Sequence, residues 1–352
     1  MNKCFVIAVL TLAFFVSCKN NNTEKNKIIL SDSINSIEAI TEKIRENPRN
    51  AELFLKRAEL QLQQRNIDEA INDVKISLLL DSLNKESYLK LYDYNMIAKK
   101  SEDAKNALLK CISIFPNYDE ARLQLAWLYF FVDMYIQAMQ EINYIESNKQ
   151  QTSNSYYLKG LIYEFTEYFN DALTAFRKSI EYDNDNWESQ MRIGLILAGN
   201  GDKTSVDYLK TAVNKFPNNM EIRYNAGVVY QKFELYDEAL EEYSYIIENR
   251  NNVTVSYNLK NYIYLSTAIP ARVYEAYFNS GKIYLDNLKN YQTAVEYFTN
   301  AIGEYSSDNA YFSRGYAYEL LKNFKEAETD YRKALEITPN YEPAIQGLNA
   351  IN

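Results

Sequence analysis

The chain contains no histidine. That removes the commonest general base, the commonest zinc ligand and every Ser–His or Cys–His nucleophile pair. Its three cysteines, Cys4, Cys18 and Cys111, make no disulfide framework. Glycine is scarce, with nine residues, and neither the dinucleotide-binding nor the P-loop signature occurs. The 38 basic residues form no stripe, and a net charge of −9 speaks against nucleic acid as a partner. No cofactor or metal is expected. Catalysis would need Ser–Lys or carboxylate chemistry, yet the carboxylates follow no acid/base spacing. The reading is therefore of a non-catalytic chain.

What the chain does contain is a beat. Ala70, Ala104, Ala138, Ala172, Ser205 and Ala239 are separated by 34, 34, 34, 33 and 34 residues, and Ala294 and Ala327 carry the alanine further. A fixed period of this size means one supersecondary unit stacked many times. Twelve residues before the alanine lies a second small residue: Ala58, Ala126, Gly160, Gly227 and Gly315, with Gly194 and Gly281 in the same role. Glycine costs about 1 kcal/mol in a helix relative to alanine, so its recurrence implies that two helix backbones touch there. Tyr129, Tyr163, Tyr230, Tyr284 and Tyr318 share unit position 11, and Phe176, Tyr243, Phe298 and Tyr331 share position 24. Pro48, Pro116, Pro217 and Pro339 stand at position 32, where proline stops a second helix before the next begins.

These residues resemble the tetratricopeptide repeat (TPR), whose pattern is W-x2-L-G-x2-Y, A-x3-F, A and P. The fullest unit is Tyr311, Gly315, Tyr318, Ala327, Tyr331, Ala334 and Pro339. The resemblance implies an all-α fold, a right-handed α-solenoid of about eight helix pairs with terminal capping helices. Eight units fit: 51–84, 85–118, 119–152, 153–186, 187–219, 220–253, 274–307 and 308–341. Residues 31–50 read as an N-terminal cap and 342–352 as a C-terminal cap. Repeat 2 departs with Tyr92 and Asn95, and repeat 5 is one residue short near Gly201, so both are expected to show looser packing or altered twist. Residues 254–273 read as an insertion, as alternating strand, extended helix or loop, and its Tyr257, Tyr262 and Tyr264 are candidate binding residues.

In this family, unit positions 2, 5, 9 and 12 face a concave groove. Positions 5 and 9 of repeats 3 to 6 are Leu123, Trp127, Tyr157, Leu161, Met191, Leu195, Tyr224 and Val228. The resemblance makes them the candidate partner-binding groove, suited to an apolar helix or extended segment. Packing against neighbouring repeats is the alternative. TPR domains that clamp chaperone C-termini carry Lys, Asn and Arg there, which this chain lacks. Position 2 is Glu52, Glu86, Glu120, Glu188, Glu221 and Glu275, a stripe that selects basic partners or merely complements helix dipoles.

Residues 1–17 read as a secretory signal, with Lys3 ahead of an apolar core from Phe5 to Phe15. Phe15-Val16-Ser17-Cys18 resembles the bacterial lipobox, which implies acylation at Cys18 and membrane attachment through several acyl chains. An ordinary cleaved signal is the alternative. Residues 18–30 form a polar tether. Lys19, by analogy with lipoprotein sorting, implies the outer membrane, and Asn20, Asn21 and Asn22 in place of acidic residues favour its periplasmic face over the cell surface. The combined expectation is a scaffold or adaptor binding envelope proteins or peptides. A glycan- or small-ligand-binding lipoprotein on a TPR-like frame is the alternative. Nothing in the sequence selects an oligomeric state.

Overall fold

The structure, a computed structural model, describes residues 36–250 and 268–351. The signal, Cys18 and the tether lie outside the described residues, as do Tyr257, Tyr262 and Tyr264. The described residues form eighteen α-helices and no strand. The chain divides into two compact blocks at Asp183/Asn184. The first holds α1 (Ile37–Glu46), α2 (Ala51–Gln63), α3 (Ile67–Leu80), α4 (Lys85–Ile97), α5 (Ser101–Ile114), α6 (Asp119–Phe131), α7 (Tyr135–Ser147), α8 (Ser153–Phe165) and α9 (Phe169–Tyr182). The second holds α10 (Trp187–Gly199), α11 (Thr204–Lys215), α12 (Met220–Lys232), α13 (Tyr236–Glu248), α14 (Ala268–Lys282), α15 (Tyr291–Glu304), α16 (Asp308–Leu320), α17 (Phe324–Ile337) and α18 (Glu342–Ile351). From α2 to α17 each even-numbered helix pairs with the one that follows, and successive pairs stack within each block. Helix α1 covers α2 through Ile40, Ile44 and Phe54, and α18 covers α17 through Ala344.

The pairs close by setting a flat ring on a bare backbone. A methyl placed on Gly160 would stand 2.5 Å from the Phe176 ring, on Gly227 2.6 Å from Tyr243, on Gly281 2.7 Å from Phe298 and on Gly315 2.9 Å from Tyr331. The nearest atoms belong to rings of the second helix. The recurring glycine therefore seats a side chain, where the sequence had implied that two backbones touch. Where the small residue is Ala58 or Ala126, the facing residue shrinks to Val74 or Ile142, all fully buried. Repeat 2 inverts the arrangement: Tyr92 takes the small position and packs in one core cluster with fully buried Leu108. Repeat 5 pairs Gly194 with Leu209, 2.7 Å from the added methyl. In both repeats the volume removed from one helix at this contact is returned by the other. The alanines that set the beat, Ala70, Ala104, Ala138, Ala172, Ala239, Ala294 and Ala327, are all fully buried.

The turns repeat as closely as the core. Each first helix ends on a residue with positive φ: Arg65, Lys99, Asp133, Glu167, Gly201, Glu234, Lys289 and Lys322. The following amide then bonds back to the helix, as Asn66 N–H does to the Gln61 carbonyl at 2.8 Å and Leu235 N–H to that of Tyr230 at 2.9 Å. This closure satisfies carbonyls that the helix end leaves open. At the start of the first helices, Asn50, Asn84, Thr152, Asn186, Asn219 and Ser307 accept amide hydrogen bonds through their side chains. The residue missing from repeat 5 is absorbed in the turn after Gly201, where Asp202 Oδ1 accepts from both the amide and the hydroxyl of Thr204.

Repeat 7 differs from its sequence reading. Gly281 to Ala294 is one residue longer than Gly227 to Ala239, so Ala294 and Phe298 stand one place later than a uniform count gives. The surplus residue is taken up in a π turn, Ile283–Asn287, directly after α14. The closing bond there runs from Asn290 N–H to the Tyr284 carbonyl at 2.9 Å, one residue wider than in the other repeats. A shorter link to α16 restores the 34-residue spacing. Helix α14 itself begins at Ala268, so the last six residues of the segment read as an insertion are helical.

Two kinds of partly buried ion pair lock the helices of a pair together. In repeats 1 and 8, Arg57 grips Asp73 with two bonds of 2.7 Å, and Arg314 grips Asp330 at 2.7 and 2.8 Å. The same guanidinium donates at 3.1 Å to Thr41 in one case and Thr299 in the other. In repeats 3 and 6 the acid is Glu141 or Glu242, reached by Arg122 at 2.6 Å and Arg223 at 2.5 Å. Each of these arginines also donates to a proline carbonyl, Pro116 or Pro217, and lies over a tyrosine ring, Tyr144 at 3.5 Å or Tyr245 at 3.6 Å. All four acids share unit position 23.

Two outcomes follow from this packing. Gly227→Ala is expected to cost about 1–3 kcal/mol, because Tyr243 is fully buried and its hydroxyl is met by Asn279 at 3.4 Å, so the ring has nowhere to retreat. Gly303→Ala, where nothing lies within 4 Å of the new methyl, is expected to be neutral or stabilising by up to about 1 kcal/mol. Urea denaturation of the two variants checks the contrast. The second outcome concerns pH. Burial raises the Glu242 carboxyl above its ordinary value, while Arg223 pulls it back down. A carboxyl raised in the folded chain binds its proton more readily there, so stability falls as pH rises through the interval above about 4.5. Arg223→Ala removes the opposing pull and widens that interval. Its loss at pH 7, about 3–5 kcal/mol for an uncompensated buried charge, is expected to shrink at pH 4.5; equal losses at both pH values would refute the assignment.

Candidate partner-binding surfaces

The eight groove residues named from the sequence fall into the two blocks. In the first, Leu123 and Leu161 turn into the core, Leu123 with Ala138, Ile142 and Leu158. Trp127 and Tyr157 stay half-buried and meet at 6.1 Å. Trp127 is stacked on Phe131 at 5.6 Å and meets the edge of Phe130 at 5.8 Å, and Tyr157 leans on Phe176 at 5.8 Å. The face left to solvent is thus the outer side of a ring cluster whose inner side is structural. In the second block Met191 is buried and receives the Asn225 amide on its sulfur at 3.2 Å. Leu195 is half-buried and Val228 is 37% exposed.

Tyr224 is covered by the chain itself. The Arg272 guanidinium lies over its ring at 4.1 Å and bonds to Glu221 at 2.7 and 2.9 Å and to Glu275. Burial pushes the Tyr224 hydroxyl above its usual range, with Glu275 adding to the rise. Two members of the acidic stripe at unit position 2 are therefore engaged by an internal cation. Glu52 holds Lys56 at 2.8 Å, and Glu120 accepts from Gln124 at 3.3 Å. Arg272 was missed in the sequence because it sits in the segment read as insertion. The signal that could have found it is an arginine three places before Glu275, one helical turn from that acid.

Other chemistry is sparse. Cys111 is fully buried, and burial pushes its thiol up to about 11, so it is not a thiolate at neutral pH. Among the described residues no cluster of carboxylates and cysteine has the geometry to hold a metal, and no helix is long and apolar enough to cross a membrane. The acids at position 23, Asp73, Glu141, Glu242 and Asp330, are the functional-looking groups that the sequence reading passed over. Each is closed off by its arginine.

Comparison with known proteins agrees with this geometry. Residues 153–186, 274–307 and 309–341 match the tetratricopeptide repeat. The TPR repeat-containing protein MJ1428 of Methanocaldococcus jannaschii is 24% identical over 215 residues, which are 58% of this chain and 34% of that protein. The chain thus spans about a third of its relative's length. Among solved structures, the C-terminal part of a TPR repeat-containing protein from Cytophaga hutchinsonii aligns with a TM-score of 0.57 at 15% identity, covering 74% of this chain and 98% of that one. The APC/C hetero-tetramer Cut9–Hcn1 aligns with a TM-score of 0.51 at 15% identity, covering 94% of this chain and 59% of that one. At such identities the likeness concerns the fold alone. Its class is all-α, of the α-solenoid type, and the chain carries tetratricopeptide repeats at residues 153–186, 274–307 and 309–341.

Removing Arg272 leaves Glu221 and Glu275 facing one another across the α12–α14 join. Arg272→Ala is expected to destabilise the chain by about 1–3 kcal/mol. In a Glu221→Gln/Glu275→Gln background the same change is expected to cost distinctly less. A double-mutant cycle by urea denaturation reads the coupling, and a coupling of zero would show that the three side chains act independently.

Proposed function

We propose that the chain is a non-catalytic scaffold, anchored by lipid at Cys18 to the bacterial outer membrane on its periplasmic side, that gathers envelope proteins on its helical repeats. The observation that carries this reading is a single pairing. A lipobox-like tetrapeptide, Phe15 to Cys18, stands at the head of a polar tether leading into a stack of helix pairs. Stacked TPR pairs present ready-made surfaces to proteins, and the described residues offer no metal cluster, no reactive thiol and no histidine to support chemistry. The exposed faces of Trp127 and Tyr157 serve as aromatic anchors for a partner segment, in keeping with the enrichment of such rings at interfaces. A tether of about a dozen residues, polar from Lys19 to Lys27, fixes where the partners meet without fixing their orientation.

The anchor is tested by metabolic labelling with palmitate and by fractionation in a bacterial host. The chain is expected to incorporate label and to sediment with outer membranes, whereas Cys18→Ser is expected to lose both. An unlabelled parent chain, or a Cys18→Ser variant that still sediments with the membrane, would overturn the proposal. The scaffold role is tested by photocrosslinking from position 127 or 157 in cells, with capture of a defined envelope protein as the expected result.

A further inference from the structure

The edge of repeats 3 and 4 where the first helix turns into the second is apolar to a degree that the repeat does not require. Repeat 1 makes this turn with Gln64, Arg65 and Asn66, and repeat 2 with Ala98, Lys99 and Lys100. Repeats 3 and 4 make the same backbone turn with Val132-Asp133-Met134 and Thr166-Glu167-Tyr168. The helices that flank it add Phe130, Phe131, Tyr135 and Ile136, then Phe165 and Phe169. The rings interlock: Phe130 meets Phe165 at 5.3 Å and Tyr135 at 5.8 Å, and Tyr135 meets Phe165 at 6.3 Å. Their outer neighbours are left to solvent, Ile136 at 75%, Tyr168 at 62%, Val132 at 55% and Phe165 at 51% exposure. A cleft of about 330 Å³ opens beside them between α7 and α8, walled by Tyr135, Ile136, Met139, Ile162, Tyr163 and Tyr168. Exposed apolar clusters of this kind mark interaction sites in soluble domains.

Along the two turns themselves the charge has one sign. Asp133, Glu167 and Asp171 lie along the patch, and Asp133 is fixed by the Tyr135 hydroxyl at 2.6 Å, which pushes that phenol up to about 12. Between Phe131 and Asp171 the basic residues are Lys149 and Lys159. Lys149 closes the far end of α7, about 20 Å away at 1.5 Å per residue, and Lys159 is held by Glu146 at 2.7 Å. Lys100 of the preceding turn is held by Asp68 at 2.7 Å. An anionic membrane surface is repelled by such a rim. A segment with apolar side chains on one face and lysines or arginines beside them is matched on both counts.

We propose that this edge is a second docking surface, separate from the groove, and that its occupant is a basic amphipathic segment of a partner protein. The apolar side chains of that segment fill the α7–α8 cleft and cover Phe165 and Tyr168, and its cations meet Asp133, Glu167 and Asp171. Such pairing at the rim sets the partner's charge more than its affinity, and burial of the rings supplies the binding.

The test uses the full chain in detergent and two fluorescent peptides of about 18 residues, one of Leu and Lys in helical amphipathic register and one of Leu and Glu in the same register. The Leu/Lys peptide is expected to bind at least about tenfold more tightly, or 1.4 kcal/mol. Ile136→Ser/Tyr168→Ser is expected to weaken it by at least about tenfold, and Glu167→Lys/Asp171→Lys to reverse the preference between the peptides. Leu83→Ser, at an exposed site in another turn, is expected to leave binding unchanged. Circular dichroism melts confirm that each variant is folded. Equal binding of both peptides, equal weakening by Leu83→Ser, or indifference to Ile136→Ser/Tyr168→Ser overturns the proposal. So does self-association in sedimentation that Ile136→Ser/Tyr168→Ser abolishes, because the occupant is then a second copy of the chain.

Discussion

Every helix pair in this protein depends on how closely one side chain can seat against the facing helix at a single position. In repeats 4, 6, 7 and 8 a phenyl or phenol ring of the second helix rests on the position-8 glycine at a distance that excludes even a methyl group. The contact fixes the separation of the two helices, and through it the angle at which the next pair is received. The chain treats the contact as a conserved volume shared between two helices. Gly–Phe, Gly–Tyr, Gly–Leu, Ala–Val, Ala–Ile and the inverted Tyr–Leu of repeat 2 are alternative ways of filling the same space. The closing helix follows the rule too: a methyl on Gly347 would stand 2.5 Å from the Tyr331 ring. Tyr331 is approached by two glycines, and α18 behaves as the first half of a further repeat.

The fold class, the number of pairs and the small-residue positions were legible because each has one physical cause repeated at fixed spacing. What escaped the sequence is what has several solutions. The acid at position 23 is met by an arginine at position 7 in repeats 1 and 8 and at position 4 in repeats 3 and 6, so no single column of the repeat shows the pair. The left-handed residue that ends each first helix is glycine only once, at Gly201; Arg65, Lys99, Asp133, Glu167, Glu234, Lys289 and Lys322 accept the strain because the backbone bonds around them leave no alternative. A reader looking for glycine at these turns finds charge instead. The groove was legible only as a set of positions. Leu123, Leu161 and Met191 share a pattern with Trp127, Tyr157, Leu195 and Val228 yet lie inside, so the repeat position alone does not decide which side chain keeps a face to solvent.

Arg272 shows how the stack deals with its own acidity. The first-turn glutamates suit the dipoles of their helices, but brought near one another they repel. One guanidinium placed over Tyr224 answers two of them and ties α14 to α12 just after the interruption in the repeat pattern. The turn edge of repeats 3 and 4 has no such answer; its acids border bare hydrocarbon.

The π turn after α14 carries a consequence for how such a chain can change. One residue added to an α-helix rotates everything after it by about 100°, which would swing Ala294 and Phe298 away from Gly281. Because the widened turn swallows that rotation, and the following link gives back one residue, the error is confined to a single hairpin and the downstream pairs keep their phase. A repeat block of this design can gain or lose a codon inside a unit without rewriting its neighbours, so its length and its facing are inherited separately.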